Sequence, residues 1–136
     1  MILPVLALAA AFTSAPATPR ETIDALFAAF NRHDVAALQR LYSPSAKLVA
    51  SDFCHPRTGT DVSRTYSALF QEFPDIQDVA DTVIIEGDRA AVRFTSTSQI
   101  QGKAFTLKLV TFFRFSDQGI LEDDTVFDPG GRPCEP

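Results

Sequence analysis

Tryptophan is absent from this chain of 136 residues, and histidine and cysteine occur only twice each. The sequence also lacks a G-x-S-x-G nucleophile elbow, a glycine-rich phosphate loop and an H-E-x-x-H pair, the usual signatures of serine hydrolases, P-loop enzymes and zinc proteases. Cys54 and His55 are the only adjacent soft ligands, whereas a zinc site needs more ligands at a recognisable spacing. We therefore predict neither a metal nor a cofactor.

Basic residues are too scattered to form a binding surface for a polyanion. The chain has 12 Lys and Arg against 17 Asp and Glu, which gives a net charge of −5. Because nucleic acids and anionic membranes are bound largely by clustered positive charge, both are disfavoured as partners. A hydrophobic content of 46% with 21% charged residues is typical of one folded domain.

The apolar run at the N-terminus, residues 2–12, is too short to cross a bilayer. It is followed by Ala15-Pro16-Ala17, which fits the cleavage site of a secretory signal, although no Lys or Arg precedes the run. A disordered apolar arm is the alternative. We predict a signal peptide over residues 1–17, a domain over residues 18–128 and a tail over residues 129–136, in a secreted or periplasmic protein.

The two cysteines, Cys54 and Cys134, are far apart in sequence. In an exported protein we expect them to form one disulfide that pins the tail to the loop after the first strand. Two free thiols in a cytosolic protein are the alternative.

Three amphipathic helices are predicted in the first half of the domain. Thr18 heads a capping box with proline at the first helical position, and Asp34 can cap a short second helix. Thr60 or Asp61 can cap the third. His33 lies in the polar turn between the first two helices and is predicted to be solvated.

Strands dominate the second half. A first strand is predicted over residues 46–53, before the third helix. Turn signals at Glu86-Gly87-Asp88, Gln101-Gly102-Lys103 and Asp117-Gln118-Gly119 separate β-branched and aromatic runs, which predicts a four-stranded antiparallel meander. The expected fold is α+β, with a curved antiparallel sheet wrapped around three N-terminal helices. A sheet curved in this way forms a cone around the helices, and a small molecule could bind at the open end, or mouth, of that cone.

Several segments in this order carry a resemblance: "LYSPSAKLV", "GDRAAVRF", "FFRFSDQGIL" and a closing "VFD". Together they resemble the SnoaL-like branch of the nuclear transport factor 2-like superfamily, over residues 21–128. The resemblance implies the cone fold. It implies no single function, because this superfamily includes polyketide cyclases, ketosteroid isomerases, epoxide hydrolases and members without known catalysis.

The catalytic residues of these relatives do not carry over to this sequence. The inward histidine of SnoaL-like cyclases corresponds here to Ile100, and their aspartate on the last strand corresponds to Thr125. The tyrosine, the base aspartate and the second carboxyl of ketosteroid isomerases correspond to Leu26, Ala50 and Thr111. Neither activity is therefore implied directly.

The resemblance and the alternation of side chains along a strand together imply which residues face the cavity. The predicted ligand pocket consists of Phe94, Ser96, Ser98, Ile100, Leu109, Thr111, Phe113, Thr125 and Phe127.

Among the acids of "ILEDD", Asp123 is the one predicted to face inward, and a register shift of one residue would place Asp124 there instead. Phenylalanine neighbours would desolvate Asp123, raise its pKa and suit it to proton transfer. Asp52 and His55 could line the mouth as a second acid–base pair. These three are the candidate catalytic residues; a hydrogen-bonded rim aspartate and an ordinary loop histidine are the alternatives.

Three classes of function are compatible with the sequence. The first is a cofactor-independent cyclase, isomerase or hydrolase that acts on a small hydrophobic molecule, and the second is a module that binds such a molecule without chemistry. The third is an interaction protein that dimerises through the outer face of its sheet, where Val110 and Phe112 form an apolar pair between Lys108 and Arg114.

Overall fold

A computed structural model describes residues 17–136, so the predicted signal peptide lies almost entirely outside the described residues. The three predicted helices are present as α1 (Pro19–Asn31), α2 (Val35–Leu41) and α3 (Val62–Glu72). A single 3-10 turn over Gly59–Asp61 leads directly into α3. No helix in this part of the chain is long and apolar enough to span a membrane.

Six strands form one curved, unclosed sheet in the order β2-β1-β6-β5-β4-β3. The predicted antiparallel meander is confirmed as the run from β3 to β6, whereas β1 pairs with β6 in parallel. The predicted α+β fold, three helices held by a curved sheet, is thereby confirmed. The strands span Tyr42–Ala50 (β1), Arg57–Thr58 (β2), Gln77–Glu86 (β3), Arg89–Ile100 (β4), Lys103–Ser116 (β5) and Gly119–Val126 (β6).

Helices α1 and α2 begin at the capping residues that the sequence predicts. The hydroxyl of Thr18 accepts a hydrogen bond from the backbone N–H of Glu21 at 3.2 Å, and the carboxylate of Asp34 accepts one from Ala37 at 3.0 Å. Asp61 directly precedes α3, but its carboxylate accepts from the backbone N–H of Thr58 at 2.9 Å and closes the 3-10 turn instead.

Two local predictions are wrong. The first strand begins at Tyr42 rather than at residue 46, because Tyr42 already pairs with Ile120 of β6 and an irregularity before Lys47 accommodates Pro44, which has no N–H to donate. His33 is half-buried rather than solvated. Its Nε2 lies 2.8 Å from the carbonyl oxygen of Ile76, and its ring stacks on Phe70 with centroids 4.2 Å apart.

The tail is attached to the loop after β1, as predicted. Cys54 and Cys134 form a disulfide across 80 residues of sequence. The backbone N–H of Cys54 donates to the carbonyl of Glu135 at 2.8 Å, and the N–H of Glu135 donates to the carbonyl of Asp52 at 2.6 Å. The tail therefore adds a short parallel bridge beside the open end of the sheet.

Candidate functional site

A cavity of about 230 Å³ lies between the concave face of the sheet and helices α1 and α3. Its wall is mostly apolar, because the central parts of β4 and β5 alternate between buried and more exposed side chains and direct mainly apolar residues inward. In β6 the alternation holds from Glu122 onward, after an irregularity in the pairing with β5. Seven of the nine predicted pocket residues lie on this wall: Phe94, Ser96, Leu109, Thr111, Phe113, Thr125 and Phe127.

The other two predicted pocket residues do not line the cavity. Ser98 is buried, but its hydroxyl donates to the carboxylate of Asp75. Ile100 is 44% exposed and pairs with Lys103 at the last position before the hairpin turn. Ile100 therefore lies at the hairpin end of β4, outside the cavity.

Asp123 is directed into the cone, as alternation along β6 predicted, and is 7% exposed. Its two carboxylate oxygens accept separate hydrogen bonds, one from the Tyr42 hydroxyl at 2.6 Å and one from the Thr125 hydroxyl at 3.0 Å. Asp124 is exposed, and Glu122 forms a 2.8 Å ion pair with Arg114. The alternative register with Asp124 inward is therefore excluded.

Asp123 is the centre of a chain of hydroxyl groups. The oxygens of Tyr42 and Tyr66 lie 3.0 Å apart, and those of Thr111 and Thr125 lie 2.7 Å apart. When Asp123 is ionised, each hydroxyl nearer to it must donate toward it, so the outer members donate to the inner ones. Tyr66, Thr111, Thr125 and Asp123 also line the cavity, which places both ends of the chain at the site.

Burial raises the pKa of Asp123 to about 6, and the hydrogen bonds from Tyr42 and Thr125 offset part of that rise. Burial also raises the pKa of Tyr42 well above its usual value, and the neighbouring Asp123 adds to this. Tyr42 is therefore a neutral donor, while Asp123 changes protonation near neutral pH. A carboxyl with this behaviour can take up and return a proton during a reaction.

Asp78 is a site residue that the sequence reasoning missed. It lies on β3, lines the cavity and is 8% exposed, and its carboxylate accepts a hydrogen bond from the Ser96 hydroxyl. Burial raises the pKa of Asp78 to about 6. Asp78 and Asp123 belong to strands separated by β4 and β5, so the two buried acids face the cavity from well-separated positions on the same concave face of the sheet.

The proposed pair of Asp52 and His55 is not brought together on the cavity wall. Asp52 lines the mouth, and burial raises its pKa, whereas His55 is exposed and does not line the cavity. His55 thus fits the alternative of a loop histidine. Within residues 17–136, no group of three His, Cys, Asp or Glu side chains is placed to hold a metal ion.

Arg57 is the best-anchored cation of the mouth. Its guanidinium lies 3.7 Å from the centre of the Phe53 ring, donates to the Thr65 hydroxyl at 3.2 Å and pairs with Glu135 at 3.4 Å. Arg132 and Glu135 of the tail line the same rim. The mouth is therefore polar and carries both signs of charge, while the interior contains only acidic charge.

A family model described as a SnoaL-like domain matches residues 23–122. The chain belongs to the SnoaL-like domain family. The matched segment begins inside α1, contains α2, α3, β1 to β5 and the first part of β6, and ends one residue before Asp123. No protein of curated function matches the sequence.

Solved structures of similar proteins agree with this assignment. Wild-type IdmH of Streptomyces antibioticus, a candidate polyketide cyclase, is 24% identical with a TM-score of 0.72, over 82% of this chain and 93% of that chain. AclR of Streptomyces galilaeus, a candidate hydroxylase, is 24% identical with a TM-score of 0.68, over 80% and 87%. A nuclear transport factor 2-like protein of unknown function from Burkholderia pseudomallei K96243 is 20% identical with a TM-score of 0.71, over 80% and 89%. At these identities the similarity shows that the SnoaL-like fold is shared.

Proposed function

We propose that this SnoaL-like protein binds a small hydrophobic molecule in its cavity and catalyses a cofactor-independent cyclisation, isomerisation or hydrolysis, with Asp123 as the general acid–base group. The observation that carries the proposal is the environment of Asp123. This carboxylate is buried in an apolar cavity, accepts one hydrogen bond on each oxygen and has a pKa near neutrality. Such tuning is typical of catalytic carboxyls.

The hydroxyl chain suggests how proton transfer and charge stabilisation are coupled. In the ionised state Tyr66 donates to Tyr42 and Tyr42 donates to Asp123. When Asp123 takes a proton from the bound molecule, the neutral carboxyl keeps it and can donate a hydrogen bond to the Tyr42 oxygen, and the two tyrosine hydroxyls then reverse their directions. Tyr66 then directs its hydroxyl proton into the cavity, where it can stabilise a negative charge that has developed on a substrate oxygen.

Native mass spectrometry of the full chain, purified gently from a host that exports it, tests the proposal. We expect a bound molecule of a few hundred daltons or less to be retained, because a cavity of about 230 Å³ accommodates only a small ligand. The matched sample is a Leu109→Arg variant, in which a charge on the cavity wall should remove the added mass. A protein that is empty from every host, and that binds no member of a small-molecule library, would contradict the proposal.

The disulfide supports our further proposal that the mature protein is secreted or periplasmic. A structural disulfide persists in oxidising compartments and is rare where cellular thiols are reduced. The Cys54–Cys134 bond lies beside Phe53 and Glu135, which line the mouth of the cavity, so an oxidising compartment would keep the tail attached at that rim.

A second candidate function, dimerisation, rests on the outer face of the sheet. Ile84, Ala91 and Phe112 are paired in one row across β3, β4 and β5, and Ile84 and Phe112 are 63% and 53% exposed. Val110 and Val126 pair in a parallel row on the same face. An apolar patch of this kind is typical of a protein–protein contact, and we propose a second copy of the chain as the partner.

The Phe112→Glu variant tests the dimer by light scattering after gel filtration. We expect a dimer for the wild type and a monomer for the variant, because a buried charge without a partner disfavours association. Thr97→Glu adds the same charge on the same face outside the two apolar rows and should leave the mass unchanged. A wild-type monomer, or a variant that remains dimeric, would overturn this proposal.

A further inference from the structure

Asp78 has one carboxylate oxygen that is free to accept a hydrogen bond. Its other oxygen accepts a hydrogen bond from the Ser96 hydroxyl. The free oxygen accepts none from any residue in the range 17–136, although Asp78 is only 8% exposed and lines the cavity. No fully enclosed side-chain oxygen or nitrogen of the described residues lacks a partner, so this oxygen is open to the cavity and available to a ligand that can donate.

The cavity also lacks a counter-charge. Within the described part of the chain, neither Asp78 nor Asp123 forms an ion pair, and the only cations on the cavity wall are Arg57 and Arg132 at the mouth. Arg57 is already held by Glu135, Thr65 and the Phe53 ring. Because burial of an ionised carboxylate without a cation is unfavourable, the interior is an uncompensated negative site.

Aromatic rings surround this negative site. The faces of phenylalanine and tyrosine rings carry partial negative charge and attract cations, most strongly where water is excluded. A hydrophobic anion would be repelled by both the rings and the acids. The rings on the cavity wall belong to Phe27, Phe30, Phe53, Tyr66, Phe73, Phe94, Phe105, Phe113 and Phe127.

We propose that the ligand of this cavity is a hydrophobic organic amine, bound as its ammonium ion with an N–H group donated to the free oxygen of Asp78. This inference rests on the proposed function, because it names the class of molecule that the same cavity holds. It also separates the roles of the two acids. Asp78 anchors the charged end of the ligand, and Asp123, which lies beyond β4 and β5 on the same concave face, is free to exchange a proton with the rest of the molecule.

Three probes that share one ring and differ in the polar group test the proposal: benzylamine, benzyl alcohol and benzoate. Their affinities are measured by calorimetry, and their position is checked by changes in the NMR signals of cavity residues. We expect benzylamine to bind at least tenfold more tightly than benzyl alcohol and benzoate to bind most weakly. The alcohol can donate one hydrogen bond to Asp78 but cannot neutralise it.

The Asp78→Asn variant is then expected to remove the preference for benzylamine and to retain the binding of benzyl alcohol, which also shows that the variant is folded. Asp81→Asn is the matched control. Asp81 lies on the same strand but is exposed and paired with Arg93 at 2.7 Å, so the amine preference should persist in that variant.

The possible outcomes separate the two proposals. Equal binding of the amine and the alcohol by the wild type would overturn the amine inference and support a neutral hydrophobic ligand in the same cavity. A preference for benzylamine that survives Asp78→Asn would also overturn it. Binding of none of the probes would overturn the amine inference as well, and the proposed function would then depend on the molecule retained in native mass spectrometry.

Discussion

Replacing Asp123 with asparagine is expected to abolish turnover of the bound molecule while leaving its binding intact. Asparagine preserves the shape of the side chain but cannot take up a proton at neutral pH. General acid–base catalysis is typically worth about 10²–10⁴ in rate, so turnover should fall by at least two orders of magnitude. The affinity of the retained molecule and its rate of conversion are measured on the same preparations, with the molecule identified by native mass spectrometry as substrate.

The same substitution is expected to increase stability above pH 6. Burial raises the pKa of Asp123 to about 6 from 3.8, so between these pH values the folded state holds a proton that the unfolded state has lost. Wild-type stability therefore falls as the pH rises through this window, and the full penalty is present above it. A shift of this size corresponds to roughly 2–3 kcal/mol, which asparagine removes.

Urea denaturation at several pH values from about 3 to 8 measures this effect. The advantage of Asp123→Asn should be largest near pH 8 and nearly vanish at about pH 3, below both pKa values, where the carboxyl is mostly protonated in both states of the wild type. Asp124→Asn is the matched control, because Asp124 is the exposed neighbour on the same strand and its removal should change stability by less than about 0.5 kcal/mol. A variant that is less stable at every pH would show that Asp123 serves mainly to hold Tyr42 and Thr125, and the catalytic proposal would lose its basis.

Removing the disulfide is expected to cost about 3–5 kcal/mol of stability in a Cys54→Ser, Cys134→Ser double variant, since an unbridged unfolded chain gains the entropy of a long open loop. The bond links residues 80 apart, which puts it near the upper part of this range. Stability is measured by chemical denaturation of the variant and of the wild type with and without a reductant. The reductant should destabilise the wild type to the level of the variant and should not affect the variant. Equal stability of all samples would contradict the prediction.

Local signals in the sequence were sufficient to predict most of the fold. Thr18 and Asp34 determine where α1 and α2 begin, and alternation along β6 was sufficient to place Asp123 inside the cone. Both kinds of signal depend only on neighbouring residues. Asp124 is exposed and Glu122 pairs with Arg114, so both neighbours of Asp123 point outward. The inward direction of Asp123 therefore follows from the alternation of side chains along a strand.

The sequence alone does not show where Asp78, Tyr42 and Ile100 lie, because their positions are set by contacts between distant strands and not by neighbouring residues. Asp78 is the one buried residue of β3, and an irregularity between Ala80 and Thr82 shifts the register just after it, so no alternation marks it as inward. Tyr42 lies where α2 ends and β1 begins, and only the pairing of β1 with β6 brings its hydroxyl to Asp123. Ile100 continues the alternation of β4 as far as the hairpin turn, but at that position it no longer lines the cavity.

The tail has a consequence for how this protein could diverge from its relatives. It lies outside residues 23–122, the segment that the family model matches, yet Arg132 and Glu135 form part of the rim of the ligand site. The entrance can therefore be remodelled by mutation of a few terminal residues that contribute nothing to the central core. Two descendants with the same sheet and the same buried acids would then admit different molecules. Selection on ligand choice would act on Arg132 and Glu135 of the tail, while selection on folding acts on the cone and on the Cys54–Cys134 bond.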